Sequence, residues 1–183
     1  MNREQIAKIA GEAGAKAALE AWDKKWQEQK KTQYTTRLWN TRMLLKHYTS
    51  LKEYCAKAIY SRSSIDSTEK PVEILESLGE CTKEEYIESI KSSTIRTITI
   101  MAHVEAMLKL YKIYCEASGK AEDARRYRIL HANYFEKVKI ADICEAENID
   151  RSTYYRDNRE SSEMLSALIF GADGLSAMRQ RGN

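Results

Sequence analysis

The stretch "NIDRSTYYRDNRESSEMLSALIFG", residues 148–171, changes character halfway along. Its first half carries Arg, Ser and Tyr on nearly every side, and its second half is almost all apolar. Just before it, residues 139–147 read as a short helix in which Ile140, Ile143 and Cys144 share one face. Asn148 stands where a left-handed backbone is wanted, and Asn tolerates that conformation best after Gly. Ile149 is an apolar plug for the angle between two helices, and Asp150 is a good N-cap for the helix that follows. Short helix, left-handed residue, plug and capped second helix form the grammar of a helix-turn-helix. The fold class expected from this stretch is all-α, with long helices in the N-terminal and central parts and a helix-turn-helix at the C-terminus.

In such a module the second helix, here about 151–170, projects its N-terminal half into the major groove of DNA. Helical spacing puts Arg151, Ser152, Tyr155, Arg156 and Arg159 on the outward face and turns Tyr154 inward. Arg suits guanine edges and phosphates, both of which offer paired acceptors. Ser152 and Tyr155 can donate to phosphate oxygens, and a helix N-terminus favours an anion. Met164, Leu165, Leu168, Ile169 and Phe170 are expected to pack on the protein or on a second copy. Three residues run against this reading. Asp150 and Asp157 put negative charge near the proposed phosphate path, and Glu147 occupies a spot that usually holds an apolar residue. Upstream, a helix over 121–136 carries Arg125, Arg126 and Arg128, with Ile129, Leu130, Tyr134 and Phe135 placed to pack under the helix pair. Arg125 and Arg126 could reach backbone phosphates, face solvent or form internal salt bridges.

Working outward, residues 3–31 read as an Ala-rich helix roughly 40 Å long. Its apolar content is thin (Ile6, Ile9, Leu19, Trp22 and Trp26), and Gly11 and Gly14 each weaken it by about 1 kcal/mol relative to Ala. Such a helix needs a partner surface or it frays. A second helix is expected over 36–60, with Leu38, Leu45, Tyr48, Leu51, Cys55 and Ile59 on one face and Arg42 and Lys46 off it. Residues 61–71, Ser-rich and closed by the only Pro, read as a linker. A short helix over 72–78 should end near Gly79. Thr82 and Glu85 then match a capping box, opening a helix to about Ala117 with Ile87, Ile90, Thr94, Ile98, Met101, Leu108, Tyr111 and Cys115 on one face. The β-branched run 93–100 is its weak point. Gly119 is placed to take a left-handed cap. The domain organisation that follows is 1–60, N-terminal helices and a possible association region; 61–71, linker; 72–119, central helices; 120–183, the DNA-binding domain.

Composition narrows the function classes. A chain of 183 residues with 43% hydrophobic and 31% charged residues suits a folded protein of one large domain or two small ones. One Pro and seven Gly favour helices. No stretch is apolar enough to span a membrane, and the N-terminus lacks a signal-peptide core, so no membrane partner and a cytoplasmic location are expected. Cys55, Cys81, Cys115 and Cys144 are far apart, without zinc-binding spacing, and read as free thiols in a reducing compartment. His47, His103 and His131 fall on separate helices and read as core or surface fillers. The net charge of +3 is uneven: residues 1–60 carry +6, residues 61–120 carry −2 and residues 121–183 carry −1. A nucleic-acid partner must therefore be argued from local placement. With no Gly-rich phosphate loop, no paired carboxylates and no nucleophile motif, no enzyme activity, metal or cofactor is expected.

The segments "DARRYRILHANYFE", "RSTYYRD" and "LSALIFGADGL" together resemble phage- and prophage-encoded transcriptional regulators of the ArpU type, whose C-terminal part is similar to the promoter-reading domain of sigma factors. The resemblance is strongest over 120–175 and weaker over 36–117. It implies an all-helical, DNA-binding regulator of phage genes that can touch host RNA polymerase. The "RSTYYRD" match implies a reading role for Arg151, Ser152, Thr153, Tyr155 and Arg156; Asn158 and Ser161 depart from the more apolar pattern expected there. The leading expectation is a sequence-specific regulator that binds double-stranded DNA through 139–159, with the long helices as scaffold or homo-oligomer. The alternatives are a small terminase-type subunit and a protein–protein module acting on RNA polymerase.

Overall fold

The computed structural model describes residues 3–59, 70–77, 82–91 and 93–171. Among them lie seven helices and no strand: α1 (Arg3–Ile59), α2 (Pro71–Ser77), α3 (Lys83–Lys91), α4 (Thr94–Ala117), α5 (Ala121–Tyr134), α6 (Ile140–Ala146) and α7 (Arg151–Phe170). The all-α expectation holds. The chain forms two compact units, residues 1–36 and residues 37–183. In the first, every described side chain from Gly11 to Gln33 is exposed, Leu19, Trp22 and Trp26 included.

The second unit is built around α4. Thr97, Ile100, Met101, Val104, Leu108, Tyr111 and Cys115 recur at three- and four-residue steps and are all buried. The same core takes Leu44, Leu45, Leu51 and Cys55 of α1, Ile74 and Leu75 of α2, Tyr86 and Ile90 of α3, Leu130 of α5, and Leu165, Ile169 and Phe170 of α7. One core thus joins helices from both sides of residues 60, 71 and 119. Polar ties fix the packing: Asn40 Nδ2 donates to Leu75 O at 3.2 Å, Tyr54 donates to Lys91 O at 3.0 Å, and Tyr48 donates to Glu105 Oε1 at 2.8 Å. His103 Nε2 lies 2.8 Å from Ile169 O, joining α4 to the end of α7.

Two boundaries differ from those read in the sequence. The helices expected over 3–31 and 36–60 are one element, because residues 32–35 hold no Gly or Pro and the hydroxyls of Thr32 and Thr35 donate back to Glu28 O and Lys31 O, at 3.0 and 2.9 Å. Conversely, the helix expected from the Thr82 box to Ala117 is two, α3 and α4. Ser93, in extended backbone at φ −132°, caps α4 by accepting from Arg96 N at 3.4 Å, and Thr97 Oγ1 donates to Ile90 O at 2.7 Å across the break. The break shifts the helical phase, so Thr97, Ile100 and Val104 are buried where Thr94 and Ile98 had been expected. The capping box itself forms: Thr82 N donates to Glu85 Oε2 at 2.8 Å, and Glu85 N donates to Thr82 Oγ1 at 3.4 Å. Pro71 opens α2 at the first helical position, where its missing N–H costs nothing. Gly119 takes the expected left-handed cap, φ 67°. Of the linker read over 61–71, residues 61–69 lie outside the described residues, as do Gly79 and Cys81, and Pro71 belongs to α2. Cys55 and Cys115 are buried free thiols and Cys144 is half-buried. Among the described residues no helix is long and apolar enough to cross a membrane, and no cluster suits a metal ion.

Candidate nucleic-acid interface

Helices α5, α6 and α7 share a small core of their own. Ile129, Ile143 and Tyr154 form its centre, and Ala132, Val138, Ile140, Cys144 and Ile149 pack against it. The turn between α6 and α7 is closed by two backbone bonds, Ile149 N to Cys144 O at 2.9 Å and Asn148 N to Glu145 O at 3.1 Å. These are the paired bonds of a Schellman ending, which requires a left-handed residue just after the cap. Asn148 supplies it with φ 51°, and Ile149 plugs into the core as expected. Asp150 then caps α7: its carboxylate accepts from Thr153 N at 2.9 Å, Ser152 Oγ at 2.5 Å and Thr153 Oγ1 at 3.0 Å. These donors, the Ser152 hydroxyl first, hold the Asp150 carboxyl well below the usual carboxylate range.

On α7 the arginines and tyrosines divide cleanly. Tyr154 is buried, and burial pushes its hydroxyl up to about 12. Arg151, Ser152, Tyr155, Arg156 and Arg159 are exposed. At about 100° per residue these five span an arc of roughly 140°, one face of the helix. Tyr155 is 58% exposed, and the side chains of Arg156 and Arg159 are 54% and 58% exposed. Thr153 is half-buried, and its hydroxyl, like that of Ser152, points its proton at Asp150. Those two hydroxyls serve the cap, so the donors that the face exposes are Tyr155 and the arginines, of which Arg156 lies 3.7 Å from Asp157 and Arg159 4.0 Å from Glu163.

The acidic residues that ran against the reading are accounted for. Asp157 is fully buried, and Arg125 Nε donates to its Oδ2 at 2.7 Å. Arg126 Nε and Arg156 Nε each stand 3.7 Å from its Oδ1. Arg126 also donates to Asp123 at 2.9 Å and pairs with Glu160. Glu147 receives both prongs of the Arg128 guanidinium, each at 2.7 Å. Of the uses left open for Arg125 and Arg126, the internal salt bridge is therefore the one formed; both tie α5 to α7 instead of facing outward. Asp150 alone of the three stays on the surface, at the cap.

The apolar half of α7 packs on the chain's own core through Leu165, Ile169 and Phe170. Asn158 and Ser161 fit without a larger apolar residue because Ser161 and Ser162 are fully buried and both donate to Asn158 O, at 3.0 and 2.7 Å. Asn158 Oδ1 accepts from Asn133 at 3.4 Å. Small side chains that satisfy their hydroxyls on their own helix can be buried without a polar partner from another element.

Two lysines escaped the sequence reading. Lys137 and Lys139 are exposed in the connection between α5 and α6, where Lys137 holds a second left-handed position, φ 55°. The alternation in "EKVKI" carries the signal: Val138 turns into the core and the flanking lysines turn out. No protein-family model, curated protein or solved structure matches the chain.

Proposed function

We propose that this chain is a sequence-specific DNA-binding transcription regulator, of phage or prophage genes as the resemblance of residues 120–175 implies. The single observation that carries the reading is the exposed arc of Arg151, Tyr155, Arg156 and Arg159 on α7, directly after the left-handed turn at Asn148, with Asp157 buried and paired behind it. Placed in a major groove, the arginines would read guanine edges and grip phosphates, and Tyr155 would donate to the backbone. Lys137 and Lys139 would add phosphate contacts from the neighbouring turn. Arg125 and Arg126 would act as positioning residues that set α7 against α5. Host RNA polymerase is the protein partner that the same resemblance implies.

The test is selection from a pool of random duplexes at two salt concentrations, followed by Arg156→Ala combined with Arg159→Ala. The wild-type chain should enrich one motif, and its affinity should fall steeply with salt. The double variant should lose at least about thirtyfold in affinity for that motif, each base contact contributing about 1–3 kcal/mol. Uniform recovery of sequences, or a variant that binds as tightly as the parent, would sink the assignment and turn attention to a module that meets RNA polymerase without reading DNA.

A further inference from the structure

We propose that residues 12–29 form an antiparallel dimerisation helix that pairs with the same segment of a second copy of this chain. The proposal does not rest on the DNA-binding reading. Leu19, Trp22 and Trp26 are 65%, 61% and 45% exposed on one helix, with the indoles of Trp22 and Trp26 stacked at 5.7 Å between centroids and 7° between planes. Two exposed tryptophans and a leucine on a single face are a large apolar surface to leave in water.

The pattern of the face says what covers it. Residues 15, 19, 22 and 26 follow four- and three-residue steps, the seam of a two-helix pairing. The seam holds Ala15, Leu19, Trp22 and Trp26, bounded by Glu12 before it and Gln29 after it. Laid antiparallel on itself about its own midpoint, it puts small Ala15 against large Trp26, Leu19 against Trp22, and polar Glu12 against polar Gln29. The flanking positions match as well: Lys16 of one copy comes beside Asp23 of the other, twice by symmetry. A parallel pairing instead sets Trp on Trp, Glu12 on Glu12, and Lys25 beside Lys30. Within one chain Lys16 pairs with Glu20 at 4.0 Å, both side chains well exposed, a pair that contributes little and yields readily.

The face is short. Buried tryptophans contribute about 150–250 Å² each, so both copies together cover less than the roughly 1,200 Å² of a tight interface. The dimer is accordingly weak and concentration-dependent.

Sedimentation equilibrium of the full-length chain from about 1 to about 100 µM brackets such a weak association. The mean mass should rise from monomer toward dimer, and Trp22→Ala combined with Trp26→Ala should remain monomeric with an unchanged helical signal. A wild-type chain that stays monomeric, or one that assembles beyond a dimer, overturns the proposal. The charge pairs test the direction independently of the apolar seam. Lys16→Asp and Asp23→Lys should each weaken self-association about tenfold, and an equal mixture of the two should recover wild-type association, since each mixed pair restores opposite charges on both sides. A mixture that associates no better than either variant alone rules out the antiparallel pairing.

Discussion

Asp157 shows how much one side chain decides. In sequence it reads as an unwelcome negative charge on a groove-reading helix. Folded, it is fully buried, with Arg125 2.7 Å from one oxygen and the Nε atoms of Arg126 and Arg156 at 3.7 Å from the other. Asp157 Oδ2 accepts from Arg125, whereas its Oδ1 and the Nε of Arg126, 3.7 Å apart, interact through charge without a hydrogen bond. Removing a buried partner leaves the opposing charge uncompensated, which outweighs the loss of one attraction. Asp157→Ala should therefore destabilise the second unit by about 3 kcal/mol, read as a lower midpoint in urea unfolding. Adding Arg125→Ala should recover part of that loss, and a double variant no more stable than the strict sum of the singles would refute the coupling. In sequence the salt bridge was one of three uses open to Arg125 and Arg126, and its acidic partner was not visible, because 32 positions separate Arg125 from Asp157 and only the packing of α5 on α7 brings them together.

At the scale of elements, local chemistry was legible wherever it acted over a few residues. The Thr82–Glu85 box, the Gly119 cap, the Asn148 turn and the Asp150 cap all formed as read. Each depends on side-chain and backbone groups within a turn of one another, and those the chain order specifies directly. The Asn148 turn can be tested. Asn148→Ala puts a Cβ residue with no local hydrogen-bonding help at φ 51° and should cost about 1 kcal/mol, whereas Asn148→Gly should be neutral or better. Differential scanning calorimetry of the two variants separates them; equal losses would mean that the side chain of Asn148, not its backbone, holds the turn. Element lengths were less legible. Residues 32–35 fell between two expected helices, yet Thr32 and Thr35 donate within one, and Ser93 fell inside an expected helix yet caps a new one. Serine and threonine hydroxyls serve both purposes, and which one wins is set by what packs nearby.

For the molecule as a whole, the two cores make a linked prediction at high pH. Tyr154 centres the small core of α5, α6 and α7, and Tyr111 lies in the main core around α4. Burial pushes the hydroxyl of Tyr154 up to about 12 and that of Tyr111 higher still. An unfolded tyrosine ionises near 10. Below that pH both states keep their protons and stability is level; above it the unfolded chain loses protons that the folded chain retains, so stability falls as pH rises. Alkaline unfolding should begin above about pH 10 and coincide with tyrosinate absorbance. Tyr154→Phe should make the decline shallower, and an unchanged slope would exclude Tyr154 as a contributor.

What the sequence by itself determined is the all-helical class, the turn over 144–150 and the arginine-and-tyrosine arc that follows it, since caps, left-handed positions and helical spacing are matters of near neighbours along the chain. What only the tertiary structure decided is which arginines are tied to other helices and which stay exposed. Arg125, Arg126 and Arg128 pair with Asp157, Asp123, Glu160 and Glu147, whereas Arg151 is exposed and the exposed Arg156 and Arg159 make longer ion pairs, 3.7 Å to Asp157 and 4.0 Å to Glu163. Like residues were separated into inter-helix ties and exposed side chains largely by ion pairing across the chain, which follows from how helices cross more than from the order of residues within any one of them.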